Sequence, residues 1–192
     1  MPIRLLLLLG FMMLIGLTPA LGQQTSSSNA GGDSRAKIEQ ETFYLINAYR
    51  EASKLPPLQW DPMIANVARN HSHDMATGEI GFGHAGFHNR VVKLSAAFAG
   101  LQGAGENVFE SDDPTGIARS AVAAWLKSPP HLKNIRGDYN FSGLGIWEDQ
   151  KGMIYFTQIF VKLPRAAETA QAVPPTPGIL SPFGLFATPS TR

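Results

Sequence analysis

Five histidines fall between positions 71 and 131, and the chain has no cysteine. Any metal must therefore be held by His, Asp or Glu, and proton transfer near neutral pH rests on the same groups. His84 lies in Gly81-Phe82-Gly83-His84-Ala85-Gly86, a segment without helical or strand period. Loops of this kind, carried on a rigid scaffold, often bear function. Glu106 lies in Gly103-Ala104-Gly105-Glu106-Asn107-Val108, where the glycines allow close backbone approach and an apolar run follows. A carboxylate there is expected to be partly buried, and a buried carboxylate needs a partner. His131 follows Ser128-Pro129-Pro130, whose two prolines restrict its direction. Together His84, Glu106 and His131 could bind a divalent metal or move protons, if the fold brings them to one place.

The other histidines have plainer readings. His71 falls on the apolar stripe of a helix, as a core histidine with a satisfied hydrogen bond. His73 points away from that stripe towards solvent, and His88 is a cap or surface residue near a helix start. His71 and His73 are two apart, too far round a helix to share a metal. No Gly-x-Ser-x-Gly, Walker-type or His-Glu-x-x-His pattern occurs. The zero cysteine count also excludes disulfide scaffolds, thiolate zinc fingers, iron–sulfur clusters and cysteine nucleophiles.

The elements that must position these residues can be read from period and punctuation. Ile38, Thr42, Leu45, Ile46 and Tyr49 predict a first helix near 35–53, and Leu55–Trp60 is extended because each proline disfavours helix before it. Asp61-Pro62 is a helix start. Ile64, Val67, Ala68, His71 and Met75 form the buried stripe of that second helix, which Gly78 ends. A third helix is expected over 89–98, and a fourth is expected to start at Asp113-Pro114 and stop at Ser128-Pro129-Pro130. The period then changes: Phe141–Glu148 and Met153–Lys162 read as an antiparallel hairpin, with one more strand at Gly105–Phe109. Helices on both sides of a small antiparallel sheet make an α+β class, a three-layer α-β-α sandwich.

The 192 residues suit one domain with tails. Residues 1–22 read as a cleaved signal peptide: Arg4 precedes the apolar run Leu5–Leu17, and Ala20-Leu21-Gly22 offers small residues for cleavage. That run spans about 20 Å as a helix, short of a bilayer core of roughly 30 Å. Residues 23–34 are expected to be a flexible lead-in, 35–163 the domain, and 164–192 a Pro-rich disordered tail. Export to the periplasm or the exterior, without a transmembrane segment after cleavage, is the expectation. Without Arg4 the 15 acidic residues balance the remaining basic ones, and no Lys/Arg cluster stands out, which argues against nucleic acid as a partner. A monomer is expected.

Several segments together resemble the CAP superfamily of cysteine-rich secretory proteins, antigen 5 and pathogenesis-related class 1 proteins, in its bacterial, cysteine-free branch. They are Leu45–Arg50, Leu58–Asp61, Ala68–Ser72, Phe82–His84, Ala104–Asn107, Trp125–His131 with Asn134-Ile135, Gly143–Gly145 and Phe156–Gln158, in the family's order. The resemblance implies an α-β-α sandwich with a central groove and a His/Glu tetrad, which binds zinc in some animal members. His84 matches its first histidine and Glu106 its glutamate. Ser128 stands where a second glutamate is expected, and Tyr155 where a histidine is expected. His131 matches a histidine of the bacterial branch. The site is thus sought at His84, Glu106 and His131, with zinc as the cofactor such a set could hold and Tyr155 on the groove wall.

Those departures leave no separate general base, so catalysis by Glu106 and His84 is disfavoured without being excluded. Three functions compete. One is a non-catalytic module whose groove takes a lipid, sterol or peptide. The second is a metal-dependent hydrolase of envelope or extracellular polymers. The third is an extracellular interaction protein using the tail and its Phe183 and Phe186.

Overall fold

The computed structural model describes residues 27–164. The signal-peptide reading of 1–22 and the tail from 165 onward lie outside the described residues. Helix α1 (Ser27–Ala52) is followed by β1 (Gln59–Trp60), α2 (Pro62–Thr77), α3 (Phe87–Ala97), β2 (Gly103–Ser111), α4 (Ile117–Lys127), α5 (Pro129–Arg136), β3 (Phe141–Glu148) and β4 (Ile154–Lys162). The strands form one sheet in the order β1-β3-β4-β2.

One helical layer is α2 with α3; the other is α1, α4 and α5. Strand alternation sorts the core between them. Leu144, Ile146, Phe156 and Phe160 pack with Ile46, Ala121, Trp125 and Ile135, whereas Ile159 and Val161 pack with Ile64, Val67, Ala68 and Leu94. The α+β sandwich expected from sequence is the fold observed, with helices on both faces of the sheet.

Why α2 lies so close to β3 is written in two glycines. Gly143 and Gly145 alternate with the apolar residues of β3 and so face α2. A Cβ built at Gly143 would sit 2.1 Å from the backbone nitrogen of Ala65, and one at Gly145 would sit 2.0 Å from that of Arg69. Asp61 caps α2, its carboxylate accepting from the amides of Met63 and Ile64 at 2.8 and 3.0 Å, and Gly78 ends it at φ 76°. Ser72 then bonds Gly145 O and Thr157 Oγ1, both at 2.9 Å, fixing the helix over the sheet.

Four expectations change. The sheet is mixed, because β1 pairs parallel to β3 through Gln59 and Trp60; the extended 55–60 segment has enough free backbone groups to join the edge. Helix α4 begins at Ile117 and not at Asp113-Pro114, because the Asp113 carboxylate accepts from Thr115 N at 2.8 Å in a local turn and Gly116 adopts φ 59°. Ser128-Pro129-Pro130 stops α4 but also starts α5, since proline at the first positions of a helix forfeits no hydrogen bond. Finally, α1 reaches back to Ser27 and takes in most of the expected lead-in, as adding a turn to an anchored helix costs far less than nucleating one.

Candidate functional site

Strand β2 is an outer strand of the sheet, and Glu106 projects from it towards the α2–α3 layer, on the same face as its register partner Ile159. Its carboxylate is buried, 1% exposed. Three helices or loops meet it there. Nδ1 of His84 lies 2.9 Å from Oε1 and donates to it. Arg90, from the first turn of α3, grips both oxygens, Nε to Oε2 at 2.8 Å and a terminal nitrogen to Oε1 at 2.7 Å. Nε2 of His71 on α2 lies 3.9 Å from the same Oε1. The fork-to-carboxylate pairing with Arg90 is the strongest geometry available to a buried glutamate.

The loop carrying His84 is pinned at three successive residues. Gly83 O accepts from His71 Nε2 at 2.9 Å, His84 is held by Glu106, and Ala85 O accepts from the second terminal nitrogen of Arg90 at 2.8 Å. Gly83 and Gly86 take φ 139° and 75°, conformations that suit glycine and let the loop turn this tightly. His84 remains half exposed. Because a carbonyl only accepts, His71 must carry its proton on Nε2; its buried Nδ1 then has no partner. Burial pushes the His71 pKa below the usual histidine value, with Arg90 adding to that shift and Glu106 opposing it.

His131 arrives from the opposite layer, in the first turn of α5. It reaches His84 round the outer edge of β2, with ring centroids 6.5 Å apart. Burial, and then the neighbouring His84, lower its pKa. The edge itself is closed by side chains: Asn134 Nδ2 donates to Glu106 O at 2.9 Å and Trp125 Nε1 to Val108 O at 2.9 Å. Gly105 makes room for this, since a Cβ there would lie 2.7 Å from the Tyr139 hydroxyl and 3.0 Å from Asn134 Oδ1.

The fold therefore brings His84, Glu106 and His131 together, and does not bring Tyr155 to them. Tyr155 pairs with Glu110, four residues along β2 from Glu106, or about 13 Å. It lines a separate cleft of about 540 Å³ between the end of α2 and the β3–β4 turn, with Met75 and Trp147. His73 is part-exposed and packs edge-on against Trp147 at 4.7 Å. His88 is exposed. His71 is the core histidine expected, although only one of its nitrogens is satisfied. Arg90 went unnoticed in the sequence. The signal for it was chemical: a carboxylate buried in an apolar strand calls for a cation, and Arg90 is the only Lys or Arg between His84 and Val92.

Glu106 does not fit the role of zinc ligand. Both its oxygens are engaged by a permanent positive charge that opposes a dication at that carboxylate, and His84 has committed Nδ1 to it. Among the described residues no three or more His, Asp or Glu side chains are placed to hold a metal ion.

Comparison with known proteins places this architecture. The family model of the cysteine-rich secretory protein family, CAP, matches residues 43–160. An extracellular protein of Bacillus anthracis containing an SCP domain is 27% identical with TM-score 0.59, over 73% of this chain and 45% of that one. An outer surface protein of Borrelia burgdorferi, 18% identical with TM-score 0.57, covers 67% of this chain and 94% of its own, and shares the fold. The uncharacterized membrane protein YlbC of Bacillus subtilis is 33% identical over 129 residues, 65% of this chain, which spans 34% of that protein's length. Among the described residues no helix is long and apolar enough to cross a membrane. From the family match and the fold together, the chain belongs to the cysteine-rich secretory protein (CAP) family.

Proposed function

We propose that this chain is an exported, non-catalytic binding module in which the His84–Glu106–Arg90 cluster is structural and stands apart from the ligand-binding cleft. One observation carries this reading: every oxygen of the one buried carboxylate in the cluster is already bonded, Oε1 by His84 and Arg90 and Oε2 by Arg90. A general base must reach a substrate proton, and the Glu106 carboxylate is 1% exposed with three donors of His84 and Arg90 on its two oxygens. A metal-dependent hydrolase would need the same carboxylate for its metal or its water.

The cleft at the end of α2 is the seat this reading assigns to the ligand. Its volume of about 540 Å³ suits a small molecule or a peptide segment. Met75, Trp147 and Tyr155 offer apolar surface, while Glu148, Asp149 and Lys151 rim it with charge. That mixture favours a peptide or an amphiphilic small molecule over a wholly apolar sterol. Export is proposed from residues 1–22 and from the extracellular relative.

Native mass spectrometry of the protein recovered from the outside of expressing cells tests this. A co-purifying peptide or amphiphile is expected, lost in Trp147→Ala and Tyr155→Ala and kept in Glu106→Gln. Ligand that survives both aromatic substitutions, or hydrolytic turnover abolished by Glu106→Gln, would overturn it.

A further inference from the structure

We propose that Arg90 is the resident cation of the His84–Glu106–His131 site. Its guanidinium holds the place at Glu106 that a divalent metal would need, so the site operates without metal in this chain. This role of Arg90 does not depend on which ligand the cleft accepts.

A carboxylate that is 1% exposed must take up a proton or be neutralised by a metal ion or a basic side chain, and the Arg90 guanidinium on both oxygens supplies the last of these. Arg90 is itself only 12% exposed, so its charge is spent on Glu106 and not on solvent. Its position is set by the core: Leu94, one turn further along α3, is fully buried, which turns the same helix face and therefore Arg90 towards β2. Each of its three nitrogens is engaged, two on Glu106 and the third on Ala85 O. Arg90 thus does what a structural metal does, neutralising the glutamate and tying a loop, a helix and a strand to one point. Unlike a metal, it leaves His131 out of the bonding, and His131 accordingly makes only a ring-to-ring approach of 6.5 Å to His84.

Removing Arg90 leaves an uncompensated carboxylate with His84 beside it and His131 near, groups that are not placed as a ligand set in the wild type but that a divalent cation could draw together. The test titrates the full chain with zinc by calorimetry and with cobalt(II) by visible absorption. For the wild type, no binding that depends on Glu106 is expected. Arg90→Met is expected to bind zinc about 10- to 100-fold more tightly than the wild type, and adding Glu106→Gln should abolish that gain. Should Arg90→Met fail to fold alone, its recovery by zinc, read as a rise in Tm, is the same measurement; no recovery counts against the proposal. Wild-type zinc binding that weakens tenfold or more in Glu106→Gln would overturn it, as would a folded Arg90→Met with no gain.

Discussion

At the residue scale, the chain settles its charged groups inside by giving each a fully committed partner. Arg50, fully buried in α1, donates to the carbonyls of Pro56, Ile135, Gly137 and Tyr139, and so ties α1 to the connection between α5 and β3. His71 is the exception, because burial lowers its pKa while Nδ1 stays unbonded. The sign of the consequence is fixed. Above pH 6.5, the ordinary value, His71 is neutral in both folded and unfolded chains and costs nothing. Below it the unfolded chain takes up a proton that the folded one resists, so stability falls as pH falls. His131 shifts in the same direction and adds to the slope. Thermal melts should therefore show a Tm that drops as pH is lowered from 7.5 to below the ordinary histidine value of 6.5. The drop should be shallower in His71→Gln, and an equal slope in that variant would rule out His71 as its source.

At the scale of elements, contact between α2 and β3 depends on two missing side chains. Backbone stands at 2.0–2.1 Å from the place a Cβ would occupy on Gly143 and Gly145, and backbone cannot move aside as a flexible side chain can. Gly145→Ala is expected to cost about 3 kcal/mol or more, by forcing α2 off the sheet and breaking the Ser72 bonds to Gly145 O and Thr157. Gly152→Ala in the β3–β4 turn makes the comparison. It has open space but φ 86°, so its cost is backbone strain alone, about 1 kcal/mol. Urea unfolding ranks the two, and equal costs would mean that α2 does not rest on the glycine face.

At the scale of the molecule, the two sides of the sheet are closed by the same device. Near β2, Glu106 is held by Arg90 of α3. Near β3, Glu39 of α1, 1% exposed, is held by Arg69 of α2 with Nε to Oε1 at 2.8 Å, and the same oxygen accepts from Ile146 N at 3.2 Å. Each clamp bridges a helix to another element across a sheet flank. They are separated by two strand spacings and by three residues along β4, roughly 14 Å in all, with no shared partner. The destabilisation of Arg69→Met and Arg90→Met should then add within about 0.5 kcal/mol in the double variant. A larger interaction energy in that cycle would show the flanks to be coupled through the sheet.

The amino-acid sequence by itself determined what depends on near neighbours: the apolar stripe of α2, its Asp61 and Gly78 ends, the period-2 run of β3 and β4, and the ordered motifs of the family. Caps, turns and periodicity act over a few residues, so they are legible in the chain. It also marked His84, Glu106 and His131 by their loops and prolines. It could not say that Tyr155 lies about four residues along the sheet from them, because strand register is set by packing of the whole sheet. Nor could it name Arg90, sixteen residues before Glu106, or show that Gly143 and Gly145 face a helix backbone. Those are facts of tertiary structure. Burial creates the demand for a cation and for empty space, and only the folded arrangement decides which residue meets it.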